Sequence, residues 1–193
     1  MFHVTDACRE LGLRASAIVH HDVTIEPASN ELRDQIDAAA AAVRQQYQSR
    51  SEIRQLPAIA QLHQILREVG VKPRRHPPSN QKLLEYALKH GTLPAINNLV
   101  DAYNLVSLET LCSLGAHDAR QFSCPVELRI LNGEETFRPL GSPEPQPVVA
   151  GEFGYVDATG RLLCRLDSLQ ADFSKISETA SDVLVIVEST VAT

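Results

Sequence analysis

The apolar spacing of this chain changes once, near Pro125, and that change limits the folds open to it. Upstream, apolar residues recur at steps of three and four, the spacing of a helix face; downstream they alternate or run together, as in strands. After "PAS" a helix is expected from about Asn30 to Tyr47, with Leu32, Ile36, Ala40, Val43 and Tyr47 on one side. A second follows Pro57, buries Ile59, Leu62, Leu66 and Val69, and stops at Gly70. His63 beside that stripe reads as a packed edge residue. A third starts at Ser79, a good N-cap, and ends with Lys89 and His90 before Gly91. A fourth occupies "LPAINNLVDAYNLV", with Ile96, Leu99, Val100, Tyr103 and Val106 inward. Only "RASAIVHHDVTI", near the start, has the Val, Ile and Thr content of an early strand.

Beyond Pro125, "VELRIL", Asn132-Gly133 and "EETFRPL" predict a hairpin, because Asn-Gly suits a type I′ turn. "GSPEPQP" is an extended loop, since its prolines exclude helix and central strand. "EFGYVD", a turn at "ATG" and "RLLCRL" predict a second hairpin, and "DVLVIV" a buried strand. Helices first and strands afterwards imply an α+β fold, N-terminal helices on a C-terminal β-rich core, with 1–193 read as one domain.

The fourth helix raises the functional question. Asn97, Asp101 and Asn104 share one stripe, with Asn98 beside it, although Asn is a poor helix former. The segment then runs into Gly115, Ala116, His117 and Asp118, where small residues after a helix end would expose backbone N–H groups. A polar stripe of that kind suits one wall of a pocket; its bland reading is local capping.

Charge adds a second feature. The net charge is −6, which argues against sequence-blind coating of nucleic acid, DNA included. Residues 51–100 nevertheless carry seven Lys/Arg against three Asp/Glu, and Lys72, Arg74, Arg75 and His76 crowd into "KPRRHPPS". That loop reads either as a solvated basic turn or as a docking point for phosphates. The four cysteines, at 8, 112, 124 and 164, form no CxxC pair, so a reduced, cytoplasmic protein without a structural metal is expected. No apolar run approaches the ~20 residues of a membrane helix, and the first residues lack a secretory pattern. No glycine-rich phosphate loop, GxSxG or HExxH pattern is present, so no cofactor is expected.

"LPAINNLVDAYNLVSLETLCSLGAHDA" resembles the tRNA-binding and editing domain, the third-and-fourth module, of the bacterial phenylalanyl-tRNA synthetase beta chain. Ile96, Asn97, Asn98, Val100, Asp101 and Asn104 fill the first part of that signature, and Gly115, Ala116, His117 and Asp118 the second. "LRILNGEETFRPLG" and "KISETASDVLVIVE" are similar to later segments, so the resemblance spans about 70–190, with residues 1–69 a strand plus helices. "PRRHPPSNQKLL" and "GEFGYVDATGRLLCR" look like the free-standing members.

The resemblance implies a pocket for the aminoacylated 3′ end of tRNA and, in trans, hydrolysis of a mischarged ester; the alternative is a non-catalytic binder of tRNA or of an amino-acid-like ligand. With that pocket, the candidates at the reaction are Asn104, His117, Gly115 and Ala116, those around the substrate Asn98, Asp101, Asp118, Glu152 and Ser174, and the basic loop offers Lys72, Arg74 and Arg75 to RNA phosphates. There are departures. Tyr103 stands where the family has Thr, and the family's pocket His falls on Gly115, with His117 at its Phe position. Its specificity carboxylate aligns with Lys175, Asp172 being the nearest acid, so tyrosine specificity does not carry over.

Overall fold

The structure, a computed structural model, describes residues 2–191. The chain opens with a short strand, β1 (Phe2–Val4), a one-turn helix, α1 (Asp6–Glu10), and a longer strand, β2 (Leu13–His20). Five helices follow: α2 (Asn30–Gln46), α3 (Arg50–Arg54), α4 (Pro57–Glu68), α5 (Ser79–His90) and α6 (Asn98–Thr110). Six strands complete it: β3 (Ser113–Asp118), β4 (Val126–Ile130), β5 (Phe153–Val156), β6 (Leu162–Arg165), β7 (Leu169–Gln170) and β8 (Val183–Thr190). The α+β class holds.

The strands form two sheets. β1-β4-β5-β6-β7 is five-stranded, with β1 parallel to β4 and the remaining pairs antiparallel. β2-β8-β3 is antiparallel throughout, with the long β-branched strand β8 in the middle. One core lies between the sheets and takes in Leu62, Ile65 and Leu66 of α4 with Leu128, Phe153, Leu184 and Ile186. A separate helical core joins Ile36, Ala40, Ile53, Ile59, Leu84, Ala87, Leu105 and Leu108.

Helix ends follow local chemistry. Ser29 Oγ accepts the Leu32 N–H at the start of α2, Pro57 opens α4, and Gly91 closes α5 in the left-handed region. Ser79 departs from the expected cap: it is the first residue of α5, and its N–H donates at 2.8 Å to the distant carboxylate of Asp167. A side chain from the β-rich half thus satisfies a donor at this helix end.

Three sequence expectations need correction. The Asn132-Gly133 hairpin does not form; the Glu135 carboxylate accepts both N–H groups and pairs with Arg129. β4 pairs instead with β5, and the intervening segment returns as a loop. Gly115 and Ala116 do not follow a helix end but lie inside β3. Helix α6 is also rotated from the expected orientation: Ile96 just before it and Val106 on it are exposed, while Val100, Asp101, Asn104, Leu105, Ser107 and Leu108 are buried. The polar stripe therefore faces inward.

Candidate functional site

Most of that stripe is committed to holding α6 in place. Asn97 caps the helix by accepting the Val100 N–H at 2.9 Å. Asn98 donates to the Thr24 carbonyl and accepts from Glu26 N–H, tying the helix to the segment after β2. Asp101 pairs with Arg33 of α2 at 3.0 Å and accepts the Ile96 N–H at 3.0 Å. Asn104 is different. It sits centrally on the buried face of α6 at 9% exposure, and its amide has no hydrogen-bond partner among the described residues. Tyr103 beside it has its phenol pushed up to about 12 by burial and by Asp101 and Cys164.

Alternation along β3 sends Ser113, Gly115 and His117 to one face of the sheet, opposite Glu188, Ile186 and Leu184 of β8. With Tyr155 and Cys164 from the facing sheet and Asp167 from the turn after β6 they line a small, partly open chamber of about 30 Å³. A Cβ added at Gly115 would meet nothing within 4 Å, so the glycine widens the chamber rather than answering a packing need. Ser113 Oγ donates to Asp167 Oδ2 at 3.0 Å, and the Tyr155 hydroxyl donates to Glu188 Oε2. Glu188 Oε1 is buried without a partner.

Burial sets the electrostatics of this chamber. It raises the Asp167 carboxyl despite the Ser79 and Ser113 bonds. It lifts Glu188 to about 8, with Asp167 adding to the effect and Tyr155 opposing it. Two carboxyls therefore face each other with no ion-paired cation among the described residues, and Glu188 keeps its proton at neutral pH.

His117 lines the same chamber, but its Nδ1 lies 3.0 Å from Ser174 Oγ, and burial lowers it to about 4. It is a neutral imidazole. The strand and chamber thus bring Gly115 and His117 together, whereas Asn104 does not line the cavity and Ala116 turns away from it, its carbonyl accepting from Gln170. Glu152 is locked in a two-pronged pair with Arg165 at 2.5 and 2.9 Å, and Asp118 pairs with Arg120 at 3.2 Å. Lys175 pairs with Asp172 at 2.9 Å on the surface. No group of three or more His, Cys, Asp or Glu side chains among the described residues is placed to hold a metal.

Ser113, Tyr155, Asp167 and Glu188 escaped the reading of the sequence. For Glu188 a signal existed: continuing the alternation of Leu184 and Ile186 places it on the core face. Asp167 carries no local signal, because it reaches the chamber from a turn.

The basic loop lies elsewhere. Lys72, Arg74 and Arg75 are exposed, and none forms an ion pair, nor does Arg67 nearby, although most other arginines are paired within the protein. Lys72 and Arg74 border an open groove of about 1090 Å³ between α3, α4 and α5, with Arg50, Arg54 and Arg67 on its other sides.

Residues 61–192 match the B3/4 domain family. The chain belongs to that family, a domain of the phenylalanyl-tRNA synthetase beta subunit. No curated protein matches it. Among solved structures it is similar to an N-terminal fragment of the phenylalanyl-tRNA synthetase beta subunit from Pyrococcus horikoshii, at 10% identity and a TM-score of 0.48. That likeness covers 97% of this chain but only 42% of the fragment. No helix among the described residues is long and apolar enough to cross a membrane.

Proposed function

We propose that this protein binds tRNA, with Lys72, Arg74 and Arg75 engaging phosphates and the aminoacylated 3′ end lying toward α6 and β3. The observation that carries the reading is the unpaired cationic cluster, on an acidic chain whose other arginines are mostly neutralised internally. Free guanidinium and ammonium groups on one surface supply the sequence-independent attraction that positions a nucleic acid. Membership of the B3/4 family supports tRNA as the polyanion. A gel-shift titration with bulk tRNA tests this: saturable binding is expected, and replacing Lys72, Arg74 and Arg75 together with Ala should weaken it at least about tenfold.

A second reading, hydrolysis of a mischarged aminoacyl ester in trans, rests on the chamber beneath Gly115. There Glu188 holds a proton near neutrality and has one oxygen uncommitted. Such a group acts as a general acid: as water adds to the ester carbonyl and the ester C–O bond breaks, the carboxyl gives its proton to the departing ribose oxygen and takes one back from the added water. His117 contributes packing beside Ser174 in this scheme, and Asn104, which lies outside the chamber, takes no part in it. At about 30 Å³ the chamber holds a water-sized group and no amino-acid side chain, so it must widen for turnover. Release of amino acid from a panel of mischarged tRNAs, lost in Glu188→Gln, is the expected result; no release from any pair leaves tRNA binding as the function.

A further inference from the structure

The groove between α3, α4 and α5 has more structure than a charged surface requires. Its rim carries Arg67, Lys72 and Arg74, which have no acidic partner among the described residues. Its floor is polar, made by His63, Gln81 and the Glu85 carboxylate, whose charge Arg50 and Arg54 offset. Gln81 is 4% exposed; its Nε2 donates to Glu85 Oε1 at 2.7 Å, and its Oε1 lies 2.6 Å from His63 Nε2. Because a carboxylate can only accept, the amide orientation is fixed, and His63 Nε2 must be the donor. In the neutral ring Nδ1 is then left as an acceptor. Arg50 and Arg54 hold Glu85 from α3 at 3.6 and 2.9 Å, so the floor is anchored from two helices.

The loop bearing Lys72 and Arg74 is ordered by its own backbone. Val71 N–H returns to the Leu66 carbonyl at 2.7 Å, and Arg75 and His76 N–H groups both return to the Lys72 carbonyl. Pro73 and Pro77 stiffen the wall and give it an apolar surface. A volume of about 1090 Å³ is slightly above the ~300–1000 Å³ typical of small-ligand sites, as suits an open groove.

We infer that this groove is a nucleotide-binding site, taking a phosphate on Arg67, Lys72 and Arg74 and a base edge or ribose hydroxyls on the His63–Gln81 floor. Inorganic phosphate needs only the rim, and an acidic peptide has no use for a matched donor–acceptor floor. A base stacked inside a duplex cannot reach the floor, so the ligand is a free nucleoside phosphate or an unpaired nucleotide of an RNA strand. Choosing the RNA source rests on the tRNA reading; the groove itself does not.

Calorimetric titration of the full chain with the four nucleoside monophosphates, inorganic phosphate, pyrophosphate, a short single-stranded RNA and polyglutamate tests the inference. At least one nucleotide should bind saturably and about tenfold or more tighter than inorganic phosphate, which corresponds to about 1.4 kcal/mol from the floor. Arg67→Gln with Lys72→Gln should weaken every phosphate ligand. His63→Phe, at a partly exposed position, should abolish the preference for nucleotide and leave phosphate binding in place, with a retained cooperative melt, its midpoint lowered by the lost Gln81 bond, as the folding control. A short RNA binding more tightly than its mononucleotide assigns the RNA source; equal affinities assign the free nucleotide. Equal affinity for nucleotide, pyrophosphate and polyglutamate, or nucleotide preference indifferent to His63, overturns the site. None of these measurements uses tRNA, so a failure of tRNA binding is separable from a failure here.

Discussion

His117 Nδ1 lies 3.0 Å from Ser174 Oγ, and both side chains are buried, so the imidazole on β3 is held as a neutral packed group. Burial lowers it from 6.5 to about 4. The unfolded chain therefore binds this proton more readily than the folded one. The resulting stability is complete above pH 6.5 and is lost as pH falls through 4, by about 3 kcal/mol at most. Urea melts of wild type and His117→Phe across that window should show the acid loss flattened in the variant; parallel curves would contradict the assignment. At neutral pH the variant should be less stable by about 1–2 kcal/mol, because Ser174 Oγ loses its partner.

Glu188 works in the opposite direction. Its carboxyl is raised from 4.5 to about 8 by burial and by Asp167, so the folded state retains a proton that the unfolded chain releases. Its contribution is complete below pH 4.5 and disappears as pH rises through 8. Glu188→Gln should be more stable than wild type at pH 8 and similar to it at pH 4.5, as read by thermal melts at the two values.

The Asp101–Arg33 pair ties α6 to α2 from a position 1% exposed. Replacing Asp101 by Ala removes the counter-charge of Arg33, which keeps its bond to the Leu93 carbonyl, and leaves the Ile96 N–H unpaired, with an expected loss of about 2–3 kcal/mol. Asn98→Ala, which frees the Thr24 carbonyl and the Glu26 and Leu99 N–H groups, should cost about 1–2 kcal/mol. Denaturant midpoints for the two variants give the comparison; a milder effect from Asp101 than from Asn98 would show that the stripe is not mainly a fastening.

Long periodic helices were legible from the sequence because α2 and α4 each bury a continuous apolar face, and α5 buries Leu84 and Ala87 before a clear glycine stop. Helix α6 was misread in orientation. Its inward face contains Asp101, Asn104 and Ser107, and apolar spacing has no means of seeing a buried polar group whose partner, such as Arg33, is 68 residues away. The Asn132-Gly133 turn failed for a similar reason: Glu135 offers the turn N–H groups a carboxylate, which competes with the hairpin geometry. The five-residue helix α3 is too short to establish a period. At the site, the resemblance pointed to β3, whereas the chamber's acids arrive from the β6–β7 turn and the far end of β8.

The basic cluster is accessible to direct measurement. Filter binding of tRNA over a salt series, with wild type and a Lys72→Glu, Arg74→Glu variant, tests the account most closely. The prediction is saturable binding whose log-affinity falls linearly with log salt, with the variant at least about tenfold weaker and its slope shallower by about 2. No saturable binding at low salt, or identical curves for the two proteins, would contradict it.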